Sequence, residues 1–250
     1  MTEPYYSDEF VTLYTGDCLA TLRDLSGTEL HAVVTDPPYA SGARTEAAKS
    51  SSGAMVRGQR WASKPIENDQ MTSTGFTWLI REVCYAVRPM LIDGGNLLAF
   101  IDWRQWPNLV GAIETTNMRV NGMVVWDKQS YGLGNGFRAQ HELVCHASKG
   151  TARIVSRATG NVLQAKRVAN DDHPSPKPVS LMESLIEVVA SPGETILDPF
   201  AGGGSTLLAA RNLGVKAIGI EYEERYAEVI AKRLSNTPLS MFAERTWGND

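Results

Sequence analysis

An α/β fold built on a mostly parallel sheet is what this sequence predicts, and three observations predict it. Short apolar runs recur along the chain at strand length. Segments with a single apolar stripe at helical spacing separate them. Glycine, proline and acidic residues punctuate the joins, so strand and helix alternate as in crossover units. About seven strands are expected, with helices on both faces of the sheet.

In chain order, Val11–Tyr14 reads as a short strand closed by Gly16-Asp17. Cys18–Leu25 follows as a helix with Leu19, Leu22 and Leu25 on one stripe. Ala32–Thr35 is a buried strand. Phe76–Pro89 is amphipathic, Asp93-Gly94-Gly95 reads as a turn, and Asn96–Ile101 as a buried strand. A helix is expected over Trp103–Thr115 and strands over Gly122–Trp126 and Leu143–His146, with a glycine-rich loop at Tyr131–Phe137 between these strands. Pro178 suits the first turn of a helix over Val179–Ala190. The last units are a strand at Thr195–Leu197, a helix at Ser205–Leu213, a strand at Ala217–Ile220 and a helix at Glu223–Leu234.

The 250 residues, 43% apolar and 21% charged, suit a single domain, residues 1–250, with a sizeable core. No apolar run reaches the ~20 residues of a membrane span. Met1-Thr2-Glu3-Pro4 lacks the regions of a signal peptide. Three scattered cysteines and four histidines make no metal-ligand pattern, so no metal is expected and the thiols should be reduced. The net charge is −4, but its distribution is uneven. Arg44, Lys49, Arg57, Arg60 and Lys64 stand against Glu46 alone, giving +4 between residues 40 and 64. Arg138, Lys149, Arg153, Arg157, Lys166 and Arg167 against Glu142 give +5 between residues 138 and 167. Two basic segments on an acidic body suit a polyanion, although solvated loops are the commoner fate of such charge.

Two stretches carry chemistry. In Thr35-Asp36-Pro37-Pro38-Tyr39 the prolines forbid helix and continued sheet right after a strand. An acid, a stiff turn and an aromatic ring thus meet at a strand's carboxyl end, the edge where open α/β sheets bind ligands. Asp36 and a backbone carbonyl can accept the two N–H bonds of an exocyclic amine, and Tyr39 can stack on its ring. Turn chemistry alone would also place Pro and Asp here. The second stretch, Asp198-Pro199-Phe200-Ala201-Gly202-Gly203-Gly204-Ser205-Thr206, joins a strand to a helix. Its glycines let the backbone approach a ligand at a helix N-terminus. Glu221 lies about 20 residues on, where an acid binds ribose hydroxyls in dinucleotide folds. Leu207 occupies the last glycine position of the dinucleotide fingerprint, and no P-loop lysine follows. An acid at Asp198 repels phosphate and attracts a sulfonium or ammonium group, which points to S-adenosylmethionine.

These stretches, with Gly16-Asp17-Cys18, Trp126-Asp127-Lys128, Phe137–Glu142 and His173-Pro174-Ser175-Pro176-Lys177-Pro178, resemble the β-arrangement amino DNA methyltransferases over most of residues 11–235. There the Asp-Pro-Pro-Tyr precedes the glycine motif, a permuted order on a Rossmann-like methyltransferase fold. The resemblance implies an S-adenosylmethionine-dependent enzyme acting on double-stranded DNA, cytoplasmic and prokaryotic or phage-encoded. By position, Asp36, Pro37, Pro38 and Tyr39 would hold the target base. The cofactor site would comprise Asp17, Cys18, His173, Ser175, Lys177, Asp198, Phe200, Ala201, Gly202, Gly204, Ser205, Thr206, Glu221 and Tyr222. Asp17 would lie near the adenine, Glu221 on the ribose, and His173, Ser175 and Lys177 at the methionine end. DNA contacts are expected from Arg44, Lys49, Arg57, Arg60, Lys64, Arg138, Arg153 and Arg157. They fall in a mobile DNA-contacting loop, 40–75, and a short target-recognition segment, 147–172. Aspartate in the first motif position leans towards adenine N6, with cytosine N4 as the alternative. A Rossmann-type oxidoreductase would leave Asp36–Tyr39 without a use, and a non-catalytic DNA-binding module would not need Asp36 and Glu221 intact. A homodimer through helices near Phe76–Thr115 and a cognate restriction endonuclease are partners the resemblance leaves open.

Overall fold

The structure, a computed structural model, describes residues 3–40, 71–132, 135–168 and 176–237. The elements in order are β1 (Tyr6–Ser7), β2 (Val11–Thr15), α1 (Cys18–Asp24), β3 (Leu30–Thr35), α2 (Ser73–Val87), β4 (Leu91–Ile101), α3 (Trp106–Glu114), β5 (Arg119–Asp127), β6 (His141–Ser148), β7 (Val162–Gln164), α4 (Val179–Val189), β8 (Thr195–Asp198), α5 (Ser205–Asn212), β9 (Lys216–Glu221) and α6 (Glu224–Asn236). Among the described residues the strands form one sheet in the order β1-β2-β9-β8-β3-β4-β6-β5-β7. Its centre, β2-β9-β8-β3-β4, is parallel throughout. The half β4-β6-β5 is antiparallel, because β5 and β6 need only a loop between them and no crossover.

The seven strands of four or more residues are the seven expected from the sequence. The two additional strands, β1 and β7, are two and three residues long, too short to show periodicity. Two boundaries differ for visible reasons. The Asp102 carboxylate accepts from Arg104 N and Gln105 N, both at 3.0 Å. This turn delays α3 to Trp106, three residues past the expected start. Asp93-Gly94-Gly95 is not a free turn but an interruption inside β4, where the register jumps from Leu30↔Leu91 to Ala32↔Asn96. The strand survives because Gly94 N donates to Lys149 O and Lys149 N to Gly95 O.

Alternation along the central strands divides the core in two. Ala32, Val34, Leu98 and Phe100 face one layer, packed under α4, α5 and α6. Val33, Leu97, Ala99 and Ile101 face the other, packed under α1, α2 and α3. Burial on both faces is why these strands read as continuous apolar runs. The helix starts are set locally. Asp17 caps α1 by accepting from Ala20 N at 2.9 Å, and Thr72 caps α2 by accepting from Gly75 N at 3.1 Å. Gly204 caps α5 in the left-handed region, φ 73°. Because β2, β3, β8 and β9 run the same way, Gly16-Asp17, Asp36, Asp198 and Glu221 all emerge at one sheet edge.

Candidate active site

That edge carries a cavity of about 470 Å³, with walls from both sequence stretches. Asp36, Pro37, Pro38 and Tyr39 form one side and Asp198–Gly203, Ser205 and Thr206 the other. Asp17, Cys18, Lys177, Glu221 and Tyr222 also line it. The two stretches meet because β3 and β8 are neighbours, with Ala32↔Ile196 and Val33↔Leu197 in register.

Asp198 fastens them. Its Oδ1 accepts from Thr35 Oγ1 at 2.7 Å and from Phe200 N at 3.1 Å. The residue is only 2% exposed. Burial pushes its pKa up to about 6, against the hydrogen bonds from Thr206, Thr35 and Phe200, which favour the ionised form. Glu221 is built alike, accepting from Gly202 N at 2.8 Å and Glu223 N at 2.9 Å. Burial pushes it up to about 7, against those two backbone bonds. The neighbouring loop needs its glycines. A Cβ on Gly204 would sit 3.0 Å from two Ile230 side-chain carbons, and Gly202 has φ 53°.

On the other side, the Tyr39 hydroxyl donates to Asp36 Oδ1 at 2.5 Å and lies 3.2 Å from Glu142 Oε2. Lys177 pairs with Asp36 Oδ2 and stands 3.4 Å from Glu142 Oε2. Lys128 donates to Glu142 Oε1 at 2.5 Å. The Tyr39 hydroxyl is held well above its ordinary range, first by desolvation and then by the Asp36 and Glu142 carboxylates. It therefore stays a donor.

Lys177 lines the cavity, and its ammonium pairs with Asp36 and Glu142 on the acid–proline side. Arg153 makes a two-pronged pair with Glu194, at 2.9 and 2.7 Å, beside the amino end of β8 and away from the cavity edge, where its guanidinium braces the fold. Arg157 is exposed, and Arg138 stacks on Tyr131 with 3.5 Å to the ring centroid. The 147–172 segment is partly woven into the sheet, since it contributes β7 and Ala165 O accepts from Trp126 Nε1 at 2.8 Å. His173, Ser175, Arg44, Lys49, Arg57, Arg60 and Lys64 lie outside the described residues, as does most of the 40–75 loop. No group of His, Cys, Asp and Glu among the described residues could hold a metal ion. Thr35, Lys128 and Glu142 are site residues to which the sequence reading gave no role. Lys128 and Glu142 ended or opened motifs shared with the family, which was the available signal.

The residues present fit S-adenosylmethionine. Two carboxylates face the cavity beside a backbone loop cleared of side chains, and the buried Ser205 hydroxyl has no hydrogen-bond partner. Among relatives, the chain is 28% identical over 226 residues to YubD of Escherichia coli (strain K12), provisionally named a methylase, spanning 90% of this chain and 91% of the relative. It is 25% identical over 263 residues to the type II methyltransferase M2.DpnII of Streptococcus pneumoniae, spanning 94% and 93%. Solved structures with the same fold include the M1.HpyAVI–SAM complex (TM-score 0.67, 22% identity, 90% of this chain and 100% of that one). Another is the PvuII DNA methyltransferase, cytosine-N4-specific (TM-score 0.75, 17% identity, 95% and 91%). The sequence model described as "DNA methylase", of the N6/N4 type, matches residues 30–233. Two motif loops that converge on one cavity and a match over most of its length place this chain in the family of S-adenosylmethionine-dependent N6-adenine/N4-cytosine DNA methylases.

Proposed function

We propose that the chain methylates the exocyclic amine of a base extruded from double-stranded DNA, and that the base is adenine, modified at N6. The observation that carries this reading is the shared cavity of Asp36–Tyr39 and the Gly202 loop. The aspartate that opens the Asp-Pro-Pro-Tyr turn supports adenine over cytosine.

An exocyclic amine is a weak nucleophile because its lone pair is delocalised into the ring. Asp36 and the Pro37 carbonyl accept its two N–H bonds and turn the lone pair outwards. S-adenosylmethionine supplies, when bound, a sulfonium methyl whose C–S bond breaks with its electron pair left on sulfur. The methylated nitrogen then sheds one proton, which Asp36 is placed to accept on its way to solvent. The chain's own task is mostly placement, a contribution of up to ~7–11 kcal/mol. Tyr39 returns ~1–3 kcal/mol of the extrusion cost by stacking. The Gly202 loop, Ser205, Thr206, Glu221, Asp17 and Tyr222 hold the cofactor, and the 40–75 and 147–172 segments read the DNA.

Digestion of treated DNA to nucleosides and mass identification of the product tests this. N6-methyl-2′-deoxyadenosine is expected. N4-methyl-2′-deoxycytidine would overturn the choice of base and keep the reaction class, and unmodified DNA would overturn both. Asp36→Ala should abolish transfer while calorimetric cofactor binding persists.

A further inference from the structure

Glu142 has no part in the roles above, yet three side chains converge on its carboxylate. Its Oε1 takes the Lys128 ammonium, and its Oε2 faces both Lys177 and the Tyr39 hydroxyl. Lys177 and Tyr39 in turn occupy the two oxygens of Asp36. Asp36, Tyr39, Glu142 and Lys177 therefore close a ring, with Lys128 attached outside it. Along Lys128–Glu142–Lys177–Asp36 the charges alternate, and the two lysines cancel the two carboxylates. The cluster is sheltered away from Asp36, the side chains of Lys128, Glu142 and Lys177 being 7%, 17% and 7% exposed against 27% for Asp36. Burial opposes charge on both Glu142 and Lys177. Yet the two lysines hold Glu142 below its ordinary range, and Asp36 with Glu142 holds Lys177 above its own.

We propose that Glu142 is a positioning residue for methyl transfer, holding Lys177 and Tyr39 on the Asp36 carboxylate and cancelling the Lys177 charge where positive charge develops on the target nitrogen. This rests on the reaction proposed above. As the nitrogen gains a methyl it becomes cationic, and without Glu142 the two lysines would outnumber Asp36 by one positive charge, which would oppose that charge. With Glu142 ionised, the two lysines and two carboxylates together present almost no net charge to the base. A bare unit charge about 5 Å away in a partly wet site would cost on the order of 100-fold in rate. Glu142 also fixes Tyr39, because a hydroxyl held between two carboxylates sets the plane of the ring on which the base stacks.

Glu142→Gln keeps the shape and an acceptor oxygen while removing the charge. Its kcat at saturating DNA and cofactor should fall about 100-fold, with cofactor Kd unchanged within about twofold. Lys177→Met alone should also be slow, because the cation that bridges Asp36 and Glu142 is then gone. Combined with Glu142→Gln it should recover about tenfold over Glu142→Gln alone, since neutrality around Asp36 is restored. A merely structural contact would give no such recovery. Wild-type kcat in Glu142→Gln, a loss confined to cofactor affinity, or a double variant slower than both singles would each overturn the proposal. Should Glu142→Gln not fold, Glu142→Asp withdraws the carboxylate from Lys177 and reads the same kcat, and wild-type turnover there overturns it as well. Wild-type protein that places no methyl on DNA would show instead that the underlying reaction is wrong, and the proposal falls with it.

Discussion

Asp198→Asn removes a charge from the most deeply buried acid of the site while keeping its shape. In the folded protein this carboxyl titrates near 6, against an ordinary 3.8. An acid whose folded pKa lies above its unfolded value binds its proton more tightly when folded. Its contribution to stability is therefore full below pH ~4 and is lost as pH rises through 6. The shift of about two units corresponds to ~3 kcal/mol of lost stability at pH 8. Asparagine can still accept from Thr35 Oγ1 and Phe200 N, the two bonds that tie the loops together. The variant should thus match the wild type near pH 4 and exceed it by ~3 kcal/mol at pH 8, or roughly 6–12 °C in melting temperature for a chain of this size. Its affinity for a cationic cofactor should fall. Urea unfolding of both proteins from pH 4 to pH 8 measures the difference directly. A gap that stays constant with pH, or a variant less stable at pH 8, would refute the reasoning, because the carboxylate would then not be strained by burial.

Three further outcomes follow from the same geometry. Glu221 near 7 and Asp198 near 6 share the cavity. A bound cation draws both down, so cofactor titration at pH ~6.5 should release protons, and a calorimetric heat independent of the buffer's ionisation enthalpy would contradict this. Gly204→Ala places a Cβ 3.0 Å from Ile230 at φ 73° and should cost roughly 2–5 kcal/mol in thermal stability. A melting temperature at the wild-type value would mean that α6 yields freely. Arg153→Ala should cost ~1 kcal/mol by loss of the half-exposed Glu194 pair, with the salt dependence of DNA binding unchanged. A slope reduced by about one unit would return Arg153 to a phosphate contact.

Much of the site was legible because its two stretches are local. A strand that ends in Asp36-Pro37-Pro38 has one way to turn, and a run of glycines before Ser205 has little use other than close backbone approach. The β3–β8 adjacency that joins them was expected only through the family likeness, since no local pattern encodes which strands pair. Glu142 and Lys128 escaped notice because their meeting depends on the register Trp126↔Glu142 across a long loop. Counting charges gave Arg153 to DNA, because Glu194, its partner 41 residues on, is invisible in sequence. The Thr35–Asp198 bond spans 163 residues, so the clamp that Asp198 makes between the loops is invisible in sequence. Strand β7 pairs over three residues only, which no periodicity could announce.

The clamp between Thr35 and Asp198 also has a temporal side. At a synthesis rate of ~5–20 residues per second, the threonine leaves the ribosome on the order of 10–30 s before its aspartate exists. Strand β3 must spend that interval with one neighbour missing from the middle of the sheet. The reactive centre consequently stays incomplete, and a nascent chain chemically silent, until the segment around Asp198 has been made.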